Sequence, residues 1–370
     1  MKKVIALLLF FSVFSIYSFK VEASTYGVIE SETNRTLVPV RLISEMFGVK
    51  VGWEQSTQSV ILDETYRLTI NSNIVVKDGL KFHEMNTKPR VIRGSVYVPA
   101  RDIANILGVE IEWLGETSEV KFTDGTETFI VSTYWESMLS KEKVTYTNKD
   151  YTVQGKKINV NIVSINLLAE NTSMHVEVAQ NTLGATDTLM NIAKSNQAIA
   201  AINGNYFDAY TPGVTLRTVY NGIVIDGKNV RTFDLAFPVF YYTKDGDAGI
   251  LPGKDFLNKF EEGNIQEALQ IGPTLMRGGQ IWLHPQEEGF TEEKILTLSA
   301  ARSAVGVLPN RQVVFLTTRS ATISQLATIM KELGATDAMN FDGGASSGLY
   351  YNGKYITTPG RNIPVTLLVK

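Results

Sequence analysis

The pattern of apolar and polar positions begins with one long apolar run. Val4 to Phe19 is nearly all apolar, follows two lysines, and is followed by the small-residue segment Val21-Glu22-Ala23. This arrangement is typical of a secretory signal. This stretch of 16 residues falls short of the roughly 20 needed to cross a bilayer. We therefore expect a signal peptide at residues 1–23 that is removed by cleavage, and we expect no membrane segment after cleavage.

The next hundred residues contain an internal repeat with an offset of 60 residues. The matched positions are Val38-Pro39-Val40-Arg41 with Val98-Pro99-Ala100-Arg101, Gly48 with Gly108, and Trp53 with Trp113. Each copy predicts a strand, a helix and a strand, with the first helix at Val40–Phe47. The glycine after each helix suits the left-handed conformation that ends a helix. The repeat predicts a small α/β domain at residues 24–125.

The pattern beyond this repeat predicts a linker and then a larger domain. Residues 126–155 are rich in polar and charged positions and predict the linker, and residues 156–370 form the second domain. Its predicted strands are Ile158–Leu168, Met174–Gln180, Ala198–Ile202, Gly222–Asp226, Ala236–Thr243, Ser303–Val307, Val313–Thr317, Ala338–Phe341 and Val365–Val369. Its predicted helices are Thr186–Ser195, Phe256–Glu262 and Ile323–Leu333. Many strands and few helices favour an α+β fold class with two domains.

Local turn and capping signals add detail to this second domain. Asn221-Gly222 and Asn352-Gly353 predict hairpin turns, since both residue types accept positive φ angles. Thr322 and Gln325 predict a capping box at the start of the last helix.

Composition and charge narrow the function. The chain has 370 residues and a formal net charge of −3, which becomes −5 when the signal peptide is removed. A mildly acidic protein without a basic block is not expected to bind nucleic acid. No cysteine is present, which excludes thiol nucleophiles and cysteine-based zinc sites. The three histidines, at 83, 175 and 284, lack ligand spacing, so we expect no histidine-based metal cluster.

Three polar segments lie where predicted strands or apolar runs end, and a ligand can approach the backbone at such places. They are Asn203-Gly204-Asn205-Tyr206-Phe207-Asp208, Gln270-Ile271-Gly272-Pro273, and Ala301-Arg302-Ser303. An arginine in a small, apolar strand is costly unless it is paired. A phosphate or a carboxylate is the expected partner of Arg302. Taken singly, each segment also fits a structural turn or a structural ion pair.

A fourth polar segment, Asn340-Phe341-Asp342-Gly343-Gly344-Ala345-Ser346-Ser347-Gly348, carries the strongest signal. Its glycines allow backbone amides to converge on an anion, and its serines add hydroxyl donors. Gly344 to Gly348 also fits the serine-hydrolase elbow, but no Asp, Glu or His follows from Leu349 to Lys370, so that function is excluded.

Taken in order, the four segments resemble the phosphodiester glycosidase family over about residues 158–370. Gly360-Arg361 before the last strand also fits the family. Two positions depart from its pattern: Thr317-Thr318 stands where Asp-Gly is common, and Ala345 stands where a third glycine is common. The repeat at residues 26–125 resembles the copper amine oxidase N-terminal-like domain. That domain is a stalk module of exported bacterial proteins, and no copper ligands are expected here.

The first resemblance implies a hydrolase that cuts the sugar–phosphate bond of sugar-1-phosphodiesters. Asp342 and Asp208 are the expected catalytic carboxylates. The expected substrate-binding residues are Asn203, Gly204, Asn205, Arg302, Gly343, Gly344, Ser346, Ser347 and Arg361. The expected substrate is a glycan or glycopolymer, and the protein is expected to be secreted or associated with the bacterial cell wall through its N-terminal domain.

Two alternatives stay open on the sequence: a non-catalytic module that binds anionic glycopolymers, and a metal-dependent phosphodiesterase. No cofactor is assigned, although a divalent cation held by Asp208 and Asp342 is compatible with the residues.

Overall fold

The computed structural model describes residues 25–370. The predicted signal peptide at residues 1–23 lies outside these described residues. The chain divides into two compact units, the first built mainly from Arg35–Thr133 and the second from Val28–Asn34 with Tyr134–Lys370. Strands make up 45% of the structure and helices 16%, which confirms the predicted two-domain α+β fold. No helix within residues 25–370 is long and apolar enough to span a bilayer.

The N-terminal part of the chain contains short strands and two short helices. The strands are β1 (Gly27–Ile29), β2 (Thr36–Pro39), β3 (Val51–Glu54), β4 (Ser59–Leu62), β5 (Tyr66–Thr69), β6 (Ile74–Lys77), β7 (Leu80–Glu84), β8 (Arg90–Ile92), β9 (Ser95–Pro99), β10 (Glu110–Leu114), β11 (Glu119–Thr123) and β12 (Thr128–Trp135). The helices are α1 (Val40–Met46) and α2 (Ala100–Leu107).

The predicted repeat accounts for the arrangement of these elements. Each helix follows a Val-Pro strand end, and Gly48 and Gly108 both have φ of 71° after their helices. Strands β3 to β7 form an antiparallel sheet in sequence order, and β2 pairs with β9 at the equivalent Val38 and Val98. Apolar side chains of both repeats share one core, including Ile43 and Ile103.

The second unit contains the remaining elements. Its strands are β13 (Val144–Val153), β14 (Lys156–Asn166), β15 (Met174–Val178), β16 (Ala200–Asn203), β17 (Ile223–Ile225), β18 (Lys228–Arg231), β19 (Pro238–Thr243), β20 (Ala248–Pro252), β21 (Ile265–Gln270), β22 (Thr274–Arg277), β23 (Gln280–Ile281), β24 (Ala300–Leu308), β25 (Gln312–Ala321), β26 (Asp337–Phe341), β27 (Leu349–Tyr351), β28 (Lys354–Thr357) and β29 (Val365–Val369). Its helices are α3 (Glu136–Leu139), α4 (Leu189–Ser195), α5 (Gly253–Glu261), α6 (Glu293–Leu296) and α7 (Ile323–Glu332), with 3₁₀ turns at Ala179–Asn181 and Gly344–Ser346.

Three sheets of the second unit surround one apolar core. Their strand orders are β13-β14-β25-β24-β26-β22-β23, β15-β29-β16-β27-β28 and β18-β17-β21-β19-β20. Buried side chains from all three sheets meet in this core, for example Phe315, Ile202 and Leu269. Helix α7 covers the other face of the seven-stranded sheet with Leu326 and Met330, and its predicted capping box is present.

The predicted linker differs most from the structure. Residues 126–155 contain β12, α3 and β13, and β13 pairs with β14 along its whole length. Only a few positions of β13 are buried, among them Tyr151 and Val153, while the outward positions are polar. This polar outer face of a strand explains why the segment has the composition of a connector.

One of the two predicted hairpin turns is wrong. Asn352-Gly353 joins β27 to β28 with both φ angles positive. Asn221-Gly222 joins no pair of hydrogen-bonded strands, and the hairpin of that region turns instead at Asp226-Gly227, between β17 and β18. Asn221-Gly222 and Asp226-Gly227 are both typical hairpin-turn dipeptides, and the pairing of β17 with β18 places the turn at the second.

Candidate active site

Asp342 lies directly after β26, where the ends of β16, β24 and β26 come together. Strand β24 pairs with β26 through Ser303 and Phe341, and the backbone amide of Asp342 donates to the carbonyl oxygen of Gly204 at the end of β16 (3.3 Å). Burial raises the pKa of Asp342 to about 7, against the opposing effects of the Ser346 hydroxyl and the Arg361 charge. A carboxyl group with this pKa can exchange a proton at neutral pH.

The loop after Asp342 forms one wall of a cavity of about 550 Å³. Gly343, Gly344 and Ser346 line this cavity together with Asp342. A Cβ atom on Gly343 would lie 2.9 Å from the carbonyl oxygen of Ala301, and Gly344 has φ of 59°. Glycine at position 343 therefore allows the loop to pass this close to β24, and glycine at position 344 suits the positive φ.

Ser347 points to a different place than the sequence predicted. It lines a neighbouring polar cavity of about 720 Å³ instead of the cavity of Asp342. Its hydroxyl oxygen is buried and has no hydrogen-bond partner within the described chain. Gly344 lines both cavities, so the loop forms the partition between them.

Asn203 and Gly204 support the site from behind and do not line the cavity of Asp342. The Asn203 side chain donates to the Asp342 carbonyl oxygen (2.6 Å) and accepts from the Ser303 hydroxyl (2.7 Å) and the Gly348 amide (3.0 Å). Gly204 donates its amide to the Val365 carbonyl oxygen at 2.8 Å. These bonds occupy the Asn203 side chain, so the prediction that it reads sugar hydroxyls is corrected.

Asn205 is also a structural residue. Its side-chain amide donates to the carbonyl oxygens of Tyr220 (2.9 Å) and Gln270 (3.1 Å), and the residue is 2% exposed. It joins the loop after β16 to the end of β21 and does not line the cavity. A predicted role in sugar binding is therefore corrected here as well.

Tyr206, which follows Asn205, does line the cavity. Its hydroxyl donates to the carbonyl oxygen of Gly272 (2.8 Å) and accepts from the Asn340 side chain (2.9 Å). Burial raises the pKa of Tyr206, and the nearby Asp342 charge adds to this effect. The Gly272-Pro273 motif thus acts through a carbonyl group that fixes a tyrosine in the cavity wall.

Arg302 lines the cavity but is bound mainly to backbone. Its Nε donates to the Ala321 carbonyl oxygen (3.1 Å), and its Nη2 donates to those of Lys294 (2.9 Å) and Leu298 (2.7 Å). The residue is 3% exposed, and burial lowers the pKa of its guanidinium. No carboxylate within residues 25–370 pairs with it. Arg302 therefore fixes the segment around α6 against β25 and leaves a positive charge in the wall.

Arg361 and Lys294 bring accessible positive charge to the same cavity. The guanidinium carbon of Arg361 lies 5.0 Å from the ring centre of Tyr210, and Nη2 donates to the Tyr210 hydroxyl (3.1 Å). Lys294 has an ammonium group 3.7 Å from Glu292, and both of these side chains are largely exposed at the rim. These groups can accept a phosphate without breaking buried contacts.

Asp208 is not brought to the cavity that contains Asp342. Its carboxylate accepts from the amides of Tyr210 (3.0 Å) and Thr211 (3.1 Å), which is the bonding of a turn. The Thr211 side chain, followed by these two amide bonds, lowers the pKa of Asp208. Of the predicted pair of carboxylates, the structure therefore brings only Asp342 to the cavity, and Asp208 stabilises a loop.

Aromatic side chains line the rest of the cavity, a feature that the sequence reasoning missed. They are Tyr206, Phe207, Tyr210, Tyr220, Phe237 and Phe290. Phe237 and Phe290 pack edge to face with ring centres 4.9 Å apart. These residues come from distant parts of the chain. Only Tyr206 and Phe207 offered a signal in the sequence, because they belong to the first polar segment.

Comparisons with known proteins agree with both resemblances. The model of the phosphodiester glycosidase family matches residues 196–370, and that of the copper amine oxidase N-terminal domain matches residues 19–122. No curated protein sequence matches the chain. These findings confirm the predicted families of the two parts.

Solved structures share the fold. The catalytic domain of zebrafish N-acetylglucosamine-1-phosphodiester α-N-acetylglucosaminidase, auto-inhibited by its pro-peptide, is 21% identical with a TM-score of 0.51, over 62% of this chain and 84% of that one. A hypothetical protein from Synechocystis is 14% identical with a TM-score of 0.55, over 87% of this chain and 79% of that one. At these identities the likeness establishes a common fold.

Proposed function

We propose that this protein hydrolyses the bond between the sugar and the phosphate of sugar-1-phosphodiesters. The observation that carries the proposal is the position of Asp342, whose pKa is raised to about 7, in a cavity that also contains Arg361 and Lys294. The match of residues 196–370 to the phosphodiester glycosidase family supports it. One carboxyl group and accessible positive charge are the parts that this reaction needs.

The leaving group explains why a single carboxylate is sufficient. In an ordinary glycoside, a second carboxylic acid protonates the departing oxygen. Here the leaving group is the phosphate monoester released from the diester, which is a much weaker base than an alkoxide, so it departs without a proton once its charge is neutralised. Arg361 and Lys294 supply that neutralisation, and the amides of the Gly343-Gly344 segment can add donors. Asp208 is therefore not required at the cavity.

Asp342 acts in its ionised form in this proposal. A carboxylate beside the anomeric carbon either attacks it or activates a water molecule for attack, and both routes go through an oxocarbenium-like transition state. The raised pKa makes the carboxylate more basic than an exposed aspartate, which favours either role. Ser346 and Asn203 hold the carboxyl group and its backbone in place.

The aromatic wall supports a sugar as the other half of the substrate. Small-molecule sites combine apolar and aromatic walls with a few placed polar groups, and sugar rings present apolar C–H faces to such walls. Phe237 and Phe290 provide an apolar surface in the cavity, and Tyr206 lies beside them with a ring centre 6.4 Å from that of Phe290. An N-acetylglucosamine ring is the sugar that we propose to test first.

The location of the activity is part of the proposal. The predicted signal peptide and the match of residues 19–122 to a family of N-terminal domains support secretion or attachment at the bacterial cell wall. A glycopolymer with sugar-1-phosphate links is the class of substrate that such a place offers.

The test measures the release of free sugar from a chromogenic N-acetylglucosamine-1-phosphodiester in water enriched in heavy oxygen. We expect free N-acetylglucosamine with the label in the sugar, because the carbon–oxygen bond breaks. Label in the phosphate would instead establish a phosphodiesterase. Absence of turnover on a panel of sugar-1-phosphodiesters, together with binding of the same compounds, would establish a non-catalytic glycopolymer-binding module.

A further inference from the structure

Three potential metal ligands from three places in the second unit lie close together. They are His175 on β15, Asp226 in the turn between β17 and β18, and Glu267 on β21. One ligand atom from each lies within 4.8 Å of the others. The sequence predicted no such cluster, because 41 residues or more separate these positions along the chain. None of the three lines the cavity of Asp342.

The imidazole of His175 is oriented as a metal ligand would be. Its Nε2 is hydrogen bonded to the Ser173 hydroxyl at 2.8 Å, while Nδ1 faces Glu267 at 3.9 Å from Oε1. The second distance is too long for a hydrogen bond. Metal-binding histidines commonly engage the other ring nitrogen with a neighbouring polar group.

Glu267 is a buried carboxyl group without a cationic partner. It is 1% exposed, and its Oε2 accepts from the Val176 amide at 3.1 Å. No lysine or arginine within residues 25–370 forms an ion pair with it. A buried carboxyl group without a lysine or arginine partner requires either a proton or a bound cation.

The surrounding charges favour a cation. Glu177 lies two residues from His175 on the same strand, and the Lys370 ammonium is 3.6 Å from its carboxylate. Three carboxyl groups around one ammonium leave negative charge that a divalent ion would neutralise.

We propose that His175, Asp226 and Glu267 form a zinc-binding site that connects strands of two sheets. Imidazole nitrogen and carboxylate oxygen are both ligand types of zinc, and water can complete a tetrahedral set. Ligand atoms about 2.0–2.2 Å from zinc are about 3.4 Å apart, so the 3.9 Å between His175 and Glu267 and the separations of up to 4.8 Å within the cluster must contract when the ion binds. Calcium and magnesium prefer sites made of oxygen alone, and the imidazole disfavours them.

The site has an open side and a structural consequence. Asp226 is exposed, which gives the ion a path into the cluster. Strand β15 belongs to one five-stranded sheet, while β17 and β21 belong to the other. Zinc would therefore stabilise the folded state by binding to it alone.

The test uses the whole chain without a histidine tag, first stripped of metal with a chelator. Zinc binding is measured by calorimetry at pH 7.5, and thermal unfolding is followed with and without zinc. Three variants are compared with the wild type: His175→Gln, Asp226→Asn and the control His284→Gln. His284 also faces a glutamate, at 3.1 Å, but it has no third ligand among the described residues.

We expect one zinc ion per wild-type chain and a higher melting temperature with zinc. His175→Gln and Asp226→Asn should each weaken zinc binding by at least about tenfold, and His284→Gln should leave it unchanged. Asn accepts the φ of 49° found at Asp226, so Asp226→Asn should keep the metal-free melting temperature. The proposal is overturned if the wild type binds no zinc, if both variants bind it as well as the control, or if calcium raises the melting temperature equally.

Discussion

Asn203 and Asp342 meet where two sheets join, and the Asn203 side-chain amide donates to the backbone carbonyl of Asp342 at 2.6 Å. The same side chain accepts hydrogen bonds from Ser303 and Gly348. Asn203 ends β16, Ser303 belongs to β24 and Gly348 ends the glycine-rich loop. A buried amide therefore fixes the backbone that carries the proposed catalytic carboxylate.

Replacing Asn203 should disturb both stability and activity. Asn203→Ala leaves the Ser303 hydroxyl and the Gly348 amide without their acceptor, which should lower the free energy of unfolding by about 1–3 kcal/mol. The Asp342 backbone loses a support, so kcat should fall as well. Denaturant unfolding and turnover measure the two effects. The exposed Asn191→Ala should change stability by about 0.5 kcal/mol or less, and an equal effect of both variants would contradict this role of Asn203.

The two aspartates of the predicted pair should behave differently when each is changed to asparagine. Asp342→Asn should lower kcat by about 10²–10⁴-fold with the fold retained, because the amide cannot act as base or nucleophile. Asp208→Asn should retain activity within about twofold, since an asparagine oxygen can also accept the turn bonds now made by Tyr210 and Thr211. Steady-state kinetics and circular dichroism measure both. A similar loss of activity in Asp208→Asn would instead support the predicted pair of catalytic carboxylates.

Local signals predicted the secondary structure of the second unit well. Strands β16, β24, β26 and β29 and helix α7 lie at or within a few residues of their predicted positions. The capping box of Thr322 and Gln325 is present because it depends only on residues three apart. Where the outcome depends on which strands pair and at which turn, as at Asn221-Gly222 or in β13, the local residue pattern does not decide it.

The candidate site was predictable in its location more than in its roles. Asp342, Arg302 and Arg361 do line one cavity, as the glycine-rich and arginine motifs indicated. The roles of Asn203 and Asp208 depend on which atoms their side chains bond, and neither spacing nor residue type determines that. The aromatic wall and the cluster of His175 with two carboxylates arise from sheet packing, which brings together positions far apart in the chain.

Gly272 should be more sensitive to substitution than Gly334. Its φ is 110°, and a Cβ atom would lie 2.7 Å from Pro238 and 2.9 Å from Phe290. Gly272→Ala therefore combines backbone strain with two clashes in the cavity wall, and it should cost more than the 1–2 kcal/mol of a left-handed residue alone. Gly334→Ala is the matched control, since Gly334 has φ of 83° with open space around it. Urea unfolding of the two variants should separate the contributions, and equal losses would show that the clashes are relieved.

The pH dependence of turnover should report the ionisation of Asp342. If the carboxylate is the active form, kcat/KM should rise with pH, with a midpoint of about 7, because burial raises the pKa of Asp342 to that value. The Arg361 charge lowers the pKa of Asp342, so Arg361→Gln should move the midpoint to higher pH and also raise KM through loss of a phosphate contact. Arg319→Gln is a suitable control, because Arg319 lines the neighbouring cavity and does not influence the Asp342 pKa. A rate that falls with pH through this range would make Asp342 a proton donor instead. An unmoved midpoint in Arg361→Gln would mean that the Arg361 charge does not act on the group that titrates.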